Sequence, residues 1–516
     1  MNTFMNGLAN ATNFTYTENG AIKRNTTMNA LLDMFALGAA YRTRSEEDCI
    51  LLFKNAYDED PLHALRCLFY LRDIRGGQGE RRFFRTCMKW LVSYDIEAAR
   101  RNLRHIPVYG RWDDLYIFVG TALEKEMFAF IKEQLVLDVQ SKTPSLLAKW
   151  LPSENTSSHQ TRVLGNSTRA ALNMSHKQYR KTLSILRERI NVLERLMSAG
   201  KWDEIEFDKI PSRAGLIYRN AFARHDVERM KASKEVQSYA DFAKDTTKTV
   251  NTDANYPYQC VAEALKLFRS GSYYSMRQLP PIGDTQRNIV NKYWDNMKDY
   301  FDGAVFNGLA VVDTSGSMVD DRADAPINVA ISLGLYCAER AKGPFAGHYV
   351  SFASRPQLIK TEGVDFCDKV QRIYRTNLVD NTNIEATFDL LLNTAIANHC
   401  SQDEIPQNLI IISDMEFDAA RADYSSWRDN EYTRNEKTRT LMENIALKWR
   451  NAGYQMPILT YWNVNARNNN IPMEVKNGIM FVSGMSPSIF RQVLENKNAF
   501  DLMIETIDNE RYQIIQ

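Results

Sequence analysis

Residues 304–317 read AVFNGLAVVDTSGS, an apolar run that ends in an aspartate followed by serines at two alternate positions. The apolar part has the length and composition of a buried strand, and the polar residues come at its carboxyl end. In an open parallel sheet, ligands bind beyond the carboxyl ends of the strands, near the point where the strand order reverses. This stretch therefore predicts the first strand of an α/β domain with a binding site at its end.

Strand-like and helix-like segments alternate after this stretch. Residues 408–413, NLIIIS, form a continuous apolar run that is typical of a strand buried on both faces. The predicted strands are 304–312, 348–354, 357–361, 408–413, 457–464 and 478–482, and the predicted helices are 325–341, 384–397, 434–452 and 486–495. The alternation predicts a doubly wound α/β domain with a mostly parallel sheet over residues 301–516.

Polar residues at three predicted strand ends form a candidate metal site. Asp313, Ser315 and Ser317 are spaced so that a tight turn aims one carboxylate and two hydroxyls at one point. Thr382 precedes a predicted helix, and Asp414 directly follows the strand 408–413. Hard oxygen ligands of this kind suit Mg²⁺. We therefore expect these five residues to bind Mg²⁺ or another divalent cation.

This layout resembles the metal-ion-dependent adhesion site (MIDAS) of von Willebrand factor A (vWA) domains. The DxSxS motif of that family matches fully at Asp313, Ser315 and Ser317, its second-motif threonine corresponds to Thr382, and its third-motif aspartate corresponds to Asp414. The second motif departs from the family, because Asn-Thr-Asn stands where Gly-Thr-Asp is usual. The resemblance implies a vWA domain whose open metal position accepts a carboxylate from a protein partner.

Residues 1–300 read mainly as helices. Amphipathic spacing predicts helices at 30–38, 47–56, 61–72, 81–92, 115–137, 173–198, 218–240, 258–270 and 290–301. The segments 151–170 and 243–257 are rich in Ser, Thr and Asn, and their composition predicts loops. Successive amphipathic helices joined by short turns predict an α-solenoid or an irregular helical repeat, although the sequence has no clean fixed-period repeat.

The two halves carry opposite charge. The chain has 516 residues with 64 Lys+Arg and 63 Asp+Glu, which gives a net charge of +1. Residues 1–300 carry 44 basic and 35 acidic residues, whereas residues 301–516 carry 20 and 28. A basic first half joined to an acidic second half indicates two domains with different partners.

Two basic clusters in the first half are candidate phosphate contacts. The first comprises Arg162, Arg169, Lys177, Arg180, Lys181 and Arg187, from a region in which only Glu188 and Glu194 are acidic between residues 161 and 195. The second is residues 75–82, RGGQGERR, in which glycines beside Arg75 and Arg81 would let backbone N–H groups approach a phosphate. The alternatives are a solvated helix face for the first cluster and an interhelical turn for the second.

Six short stretches carry a second resemblance. They are 17–21 (TENGA), 30–33 (ALLD), 70–81 (YLRDIRGGQGER), 106–115 (IPVYGRWDDL), 148–153 (AKWLPS) and 210–214 (IPSRA). They are similar to the TROVE module of the Ro autoantigen ribonucleoprotein family, and more so to a sibling family of TROVE-like plus vWA proteins in plants, bacteria and phages. The resemblance implies a ring of antiparallel, HEAT-like helical repeats over residues 1–300, closed by the vWA domain. In Ro proteins the hole of the ring takes single-stranded 3′ ends of misfolded RNA, and the outer surface takes a small structured RNA.

These observations predict a noncatalytic RNA-binding protein. No set of nucleophile, base and orienting group is visible in the sequence, and Ser315 is better explained as a metal ligand. Two alternatives stay open: a metal-dependent protein–protein adaptor without RNA function, and a hydrolase in which the metal activates water. Trp112 and Trp150 are candidates for base stacking, with a role in the core as the alternative.

Composition argues against several other classes. No stretch approaches the roughly 18 consecutive apolar residues of a membrane span, and the first residues do not resemble a secretory signal. The seven cysteines are scattered without a CxxC pair, which predicts reduced thiols and argues against a zinc ribbon. We therefore expect a cytoplasmic monomer with no membrane partner.

Overall fold

The computed structural model describes residues 5, 12–233, 235–270, 277–278, 283–352, 356–376, 383–418, 440–475, 478–495 and 497–516. Over these residues the first part of the chain is mostly helical, and the second part holds a sheet of mainly parallel strands with helices. Among the helices in these ranges, none combines the length and the apolar character that crossing a bilayer requires.

Helices with well-defined caps build the first part of the chain. Ser45, Asp60 and Asp95 each begin a helix by accepting a backbone N–H in its first turn. The α-helices are α1 (Ala30–Leu37), α2 (Glu46–Glu59), α3 (Pro61–Arg72), α4 (Arg81–Tyr94), α5 (Ile96–Asn102), α6 (Ile106–Tyr109), α7 (Glu124–Gln140), α8 (Leu147–Trp150), α9 (His159–Ala171), α10 (His176–Arg189), α11 (Leu193–Ser198), α12 (Ser212–Arg224), α13 (Asp226–Ala232), α14 (Tyr239–Lys244), α15 (Pro257–Phe268) and α16 (Asp284–Asp295). Two short antiparallel pairs accompany them: β1 (Phe14–Tyr16) with β2 (Ile22–Arg24), and β3 (Arg269–Ser270) with β4 (Arg277–Gln278).

Helix α9 contradicts the loop predicted for residues 151–170. Ser158 caps α9 with its side chain, and Gly165 and Thr168 are buried. A Cβ on Gly165 would lie 3.0–3.1 Å from the backbone of residues 152–153, so the helix packs directly on the preceding segment. The prediction is confirmed for residues 151–158, which contain no helix, and wrong for residues 159–170, where tertiary packing outweighs the low helix propensity of this composition.

A six-stranded sheet organises the second part of the chain. Its strands are β5 (Gly308–Asp313), β6 (His348–Phe352), β7 (Gln357–Lys360), β8 (Asn408–Ser413), β9 (Ile458–Asn463) and β10 (Ile479–Ser483), in the order β10-β9-β8-β5-β6-β7. Neighbouring strands are parallel except β6 and β7, which are antiparallel. The helices are α17 (Pro326–Arg340), α18 (Phe366–Thr376), α19 (Ile384–Ala397), α20 (Leu441–Asn451), α21 (Ile489–Val493) and α22 (Ala499–Ile507).

The strand order reverses at β5. From β5 the chain builds β6 and β7 on one side and then β8, β9 and β10 on the other. Val312 pairs with Ile412, so β5 and β8 end at the same level of the sheet. Asp313 is the last residue of β5, and Asp414 comes directly after β8. Both aspartates therefore lie at the crevice where open α/β sheets bind ligands.

Each half of the molecule contacts a segment that belongs to the other half. Arg24 of β2 exchanges backbone hydrogen bonds of 3.0 and 3.3 Å with Ile471, beyond β9. In the opposite direction, the Arg511 guanidinium pairs with Asp73, which is fully buried at the end of α3. Helix α15 also packs against α17 and α18. The helical half is thus anchored to the α/β half at both of its ends.

Candidate functional site

Two buried carboxylates lie in the crevice between β5 and β8. Asp313 and Asp414 are both 0% exposed. One oxygen of Asp313 accepts the Ser315 N–H at 2.9 Å, and the other accepts the Ser413 hydroxyl. The Ser315 and Ser317 hydroxyl oxygens lie 3.1 Å apart. The turn after β5 therefore gathers one carboxylate and two hydroxyls at one place.

Negative charge is crowded at this pair. Burial and the neighbouring Asp414 charge raise the pKa of Asp313 to about 7. Burial also raises the pKa of Asp414, although the Arg467 guanidinium, with Nη2 3.1 Å from Asp414 Oδ2, opposes the rise. Arg467 pairs with Asp414 and also with Glu18, so a divalent cation between Asp313 and Asp414 would relieve the repulsion of the two carboxylates.

The donor set fits Mg²⁺. The predicted ligands described here, Asp313, Ser315, Ser317 and Asp414, offer carboxylate and hydroxyl oxygens, the atoms this ion prefers. Gly316 is exposed and Ser317 is half-buried, so this side of the set faces solvent. Over the described ranges, no three His, Cys, Asp or Glu side chains gather into a metal site of their own. The fifth predicted ligand, Thr382, lies outside the described residues.

The N-terminal hairpin reaches this site, which sequence reasoning missed. Buried Glu416, two residues beyond Asp414, accepts the Glu18 N–H at 2.8 Å. Arg467 bridges the two sides, because its Nη1 lies 3.1 Å from Glu18 Oε2 while its Nη2 holds Asp414. The stretch TENGA contains Glu18, but a local motif gives no indication of a contact with Glu416, 398 positions away.

A cavity of about 1410 Å³ is the second candidate site. Its walls come from residues 72–259, all in the helical half. Nine basic side chains line it against three acidic ones; the basic residues are Arg72, Arg75, Arg81, Arg111, Lys149, Arg180, Arg187, Arg195 and Arg213, and the acidic residues are Glu154, Glu194 and Asp253. Trp150, Tyr179, Tyr218 and Tyr256 contribute aromatic surface. The cavity therefore combines excess positive charge with aromatic rings.

The predicted phosphate contacts divide between this cavity and other surfaces. Arg75, Arg81, Arg180 and Arg187 line the cavity, whereas Arg162, Arg169, Lys177 and Lys181 are not part of its wall. Arg187 holds the wall together, because it donates to the carbonyl oxygens of Ala148 and Leu151 at 2.8 and 2.9 Å.

Of the four residues away from the cavity wall, three are exposed and the fourth forms an ion pair. Arg162, Lys177 and Lys181 are exposed to solvent. Arg169 lies 2.9 Å from Glu154 through Nε and donates to the Met174 carbonyl at 2.9 Å. Its charge is therefore already offset by a buried carboxylate.

The two candidate tryptophans also have different surroundings. Trp150 lines the cavity, whereas Trp112 packs beside Phe130 with ring centroids 5.4 Å apart and is not on the cavity wall. Sequence reasoning missed Arg111, Lys149 and Arg213 as cavity residues, although all three lie within or beside the quoted motif stretches.

Comparison with known proteins covers nearly the whole chain in two parts. Residues 307–514 match a domain of unknown function, DUF7788, and residues 17–162 and 135–301 match another domain of unknown function, DUF2828. The uncharacterized protein L728 of Acanthamoeba polyphaga mimivirus is 29% identical over 540 residues, which span 96% of this chain and 87% of that protein. Because the DUF2828 match extends over more than half of the sequence, the chain belongs to the DUF2828 family.

Proposed function

We propose that this protein is a noncatalytic, Ro-like RNA-binding protein that holds single-stranded RNA in the basic cavity. The cavity carries this proposal, with its nine basic and three acidic side chains. Affinity for nucleic acid comes largely from cations placed near phosphates, and a charge excess of this kind supplies them.

Some of the cavity cations are not paired with carboxylates, which supports RNA binding over a purely structural role for them. Over the described ranges, no carboxylate lies within ion-pair distance of Arg75, Arg180 or Arg213. The Arg75 guanidinium donates to the Val108 carbonyl oxygen at 3.2 Å, and the Arg180 guanidinium donates to the His176 carbonyl oxygen at 3.3 Å. These three side chains are exposed, so their charges remain available to phosphates.

Size and aromatic content support a strand rather than a small ligand. About 1410 Å³ exceeds the roughly 300–1,000 Å³ typical of small-molecule pockets. Half-buried Trp150 and Tyr218 offer ring surface on which bases can stack without regard to sequence.

The arrangement of the helical half favours a TROVE-type ring of residues 1–300, with a vWA domain over residues 301–516. The Tyr256 hydroxyl donates to the Gln78 carbonyl at 2.9 Å, which joins segments 178 residues apart at the cavity wall, where Gly79 and Tyr256 both lie. The reversal of strand order at β5, with DxSxS at its end, supports the vWA assignment. A cytoplasmic setting agrees with the seven free thiols.

Recruitment of a protein partner is the proposed role of the carboxylate pair. Asp313, Ser315, Ser317 and Asp414 would hold Mg²⁺, with Thr382 as a further ligand. The bound ion would offer an open position to a partner's carboxylate at the solvent-facing side near Gly316. A metal-dependent adaptor without RNA function is the second candidate, and this exposed side of the site favours it.

The test is fluorescence anisotropy of the purified protein with a structured RNA that carries a single-stranded 3′ tail, measured over a salt series. We expect affinity that needs the tail and falls steeply as salt rises, because phosphate contacts release counterions. A blunt duplex of the same sequence is the control. No binding at low salt would reject the RNA proposal and leave the adaptor as the leading function.

A further inference from the structure

The cavity has one corner where arginines outnumber carboxylates. Asp114, fully buried, accepts Arg72 Nη2 at 2.6 Å and Arg81 Nε at 2.9 Å, and lies 3.4 Å from Arg85 Nε. Burial raises the pKa of Asp114, but the Arg72 charge and the arginine hydrogen bonds outweigh burial and hold that pKa below its usual value. Asp114 is therefore ionised and surrounded by three guanidinium groups.

The neighbouring aspartate joins two guanidinium groups that face the cavity. Asp113 Oδ2 accepts Arg81 Nη2 at 2.5 Å and Arg111 Nη2 at 3.1 Å. Because both bonds end on one oxygen, Arg81 and Arg111 converge, and both line the cavity. Four arginines thus share two carboxylates, which leaves two positive charges in excess.

Among the described residues, the other acidic side chains of this corner are paired with cations outside it, although the Arg72 charge also acts on Glu80. Asp73 and Glu80, the natural candidates from the same loop, are committed elsewhere: Asp73 pairs with Arg511, and Glu80 lies 3.4 Å from Arg42. Burial lowers the pKa of Arg111, and the charge of Arg81 lowers it further, yet a guanidinium does not lose its proton in proteins. The excess charge must therefore be offset by an anion or by solvent.

An aromatic ring lies beside these cations. The Arg111 guanidinium carbon is 4.2 Å from the centre of the Trp150 ring, and Lys149 Nζ is 5.7 Å from it. Trp150 is half-buried and lines the cavity. Aromatic rings and arginine planes are the surfaces on which unpaired bases stack.

We propose that the corner formed by Arg81, Arg111 and Trp150 binds the terminal phosphate of single-stranded RNA, with the end base beside Trp150. The inference rests on the proposed function, because it takes RNA in the cavity as given. A terminal phosphomonoester carries close to two negative charges at neutral pH, as phosphorylated side chains do. An internal phosphodiester carries one, so the excess of two charges matches the terminal group better.

The test compares single-stranded oligonucleotides of about ten nucleotides, within the usual site size of such proteins. One bears a 5′-phosphate, one a 3′-phosphate, and one hydroxyls at both ends. We expect one phosphorylated form to bind about tenfold tighter than the hydroxyl form, as a charge-assisted bidentate contact implies. Equal affinity of all three would overturn the inference while leaving RNA binding in place.

Matched variants locate the effect. Arg111→Met removes one of the cavity cations, so it should weaken both forms, but it should also abolish the advantage of the phosphorylated end, so that both forms bind the variant equally. Arg195→Met is the control for charge, because Arg195 also lines the cavity but pairs with Glu188 at 2.8 Å. It should preserve the affinity ratio between the phosphorylated and hydroxyl forms, whatever it does to both. Trp150→Leu serves as the second variant if Arg111→Met fails to fold, and it should reduce the same advantage. A phosphate advantage that survives in the folded variant would contradict the assignment.

A calorimetric titration with inorganic phosphate and uridine monophosphate separates this inference from the proposed function. If no RNA binds, but both anions bind wild type and not Arg111→Met, the anion site stands and the RNA function fails. If neither anion nor RNA binds, both fail.

Discussion

Gly110 packs against the buried ion pair between Arg72 and Asp114. A Cβ at this position would lie 2.5 Å from Asp114 Oδ2 and 2.9 Å from Arg72 Nε. We expect Gly110→Ala to lower the free energy of unfolding by about 1–3 kcal/mol, the usual cost of overpacking. Urea unfolding measures the change. Gly283→Ala is the control, because no atom of the described residues comes within 4 Å of a Cβ there, and its cost should stay below about 1 kcal/mol.

At the scale of residues, sequence prediction works where the contacts are local. The turn from Asp313 to Ser317 could be predicted from the sequence because its hydrogen bonds join residues two positions apart. Glu18 was missed because its contact with Glu416 crosses 398 residues, and Arg467 was missed because Asp414 lies 53 positions away. The ion pair between Arg169 and Glu154 could not be predicted either, because the sequence does not show which acidic residue a basic residue contacts.

At the scale of elements, helix α10 places two adjacent basic residues on different surfaces. Arg180 lines the cavity, whereas Lys181, also exposed, does not. Charge reversal at each position changes the net charge equally. We expect Arg180→Glu to weaken binding of tailed RNA about tenfold or more and Lys181→Glu to weaken it much less, as anisotropy at moderate salt will measure. Equal losses would place the RNA on the outer face of α10 instead.

The carboxylate pair joins the ends of β5 and β8, so metal binding should stabilise the sheet. With Mg²⁺ at about 100 times its dissociation constant, the free energy of unfolding should rise by about 2.7 kcal/mol. Differential scanning fluorimetry with Mg²⁺ and then with a chelator measures the shift in Tm. Asp313→Asn should abolish the shift. If Mg²⁺ leaves the Tm of the wild-type protein unchanged, the carboxylate pair has a structural role and does not bind the metal.

Several elements agree with the bounds expected from periodicity. Residues 61–72, 384–397 and 408–413 have the predicted bounds in the structure. Asp60 and Asn383 cap the two helices, and 408–413 is a fully buried run. The predicted helix 173–198 is divided between α10 and α11, where Asn191 adopts a positive φ of 48°. The β1–β2 hairpin was not predicted, because strands of three residues are too short to show a period and this pair depends on the loop beyond β8.

At the scale of the whole molecule, the ion pair between Arg511 and buried Asp73 joins the two halves. Arg511→Met would leave Asp73 with the Tyr512 hydroxyl at 3.0 Å and the Arg75 N–H at 2.9 Å. We expect a loss of about 2–4 kcal/mol, somewhat less than a fully buried pair would cost, because the Arg511 side chain is 38% exposed.

Thermal unfolding monitored by circular dichroism measures this loss. Arg104→Met is the matched control, since Arg104 pairs with Glu133 on the surface at 2.7 Å and its removal should change Tm little. An unchanged Tm in Arg511→Met would mean that the halves are held together by other contacts.

The exchange of segments between the halves also sets the order of events during translation. Residues 73–109 leave the ribosome long before residues 508–516, which contact them through Arg511, Tyr512 and Gln516. At about 5–20 residues per second, the helical half waits some 20–80 s with this surface uncovered. The nascent chain is therefore exposed to chaperones and proteases during that interval, and slow codons late in the message would lengthen it.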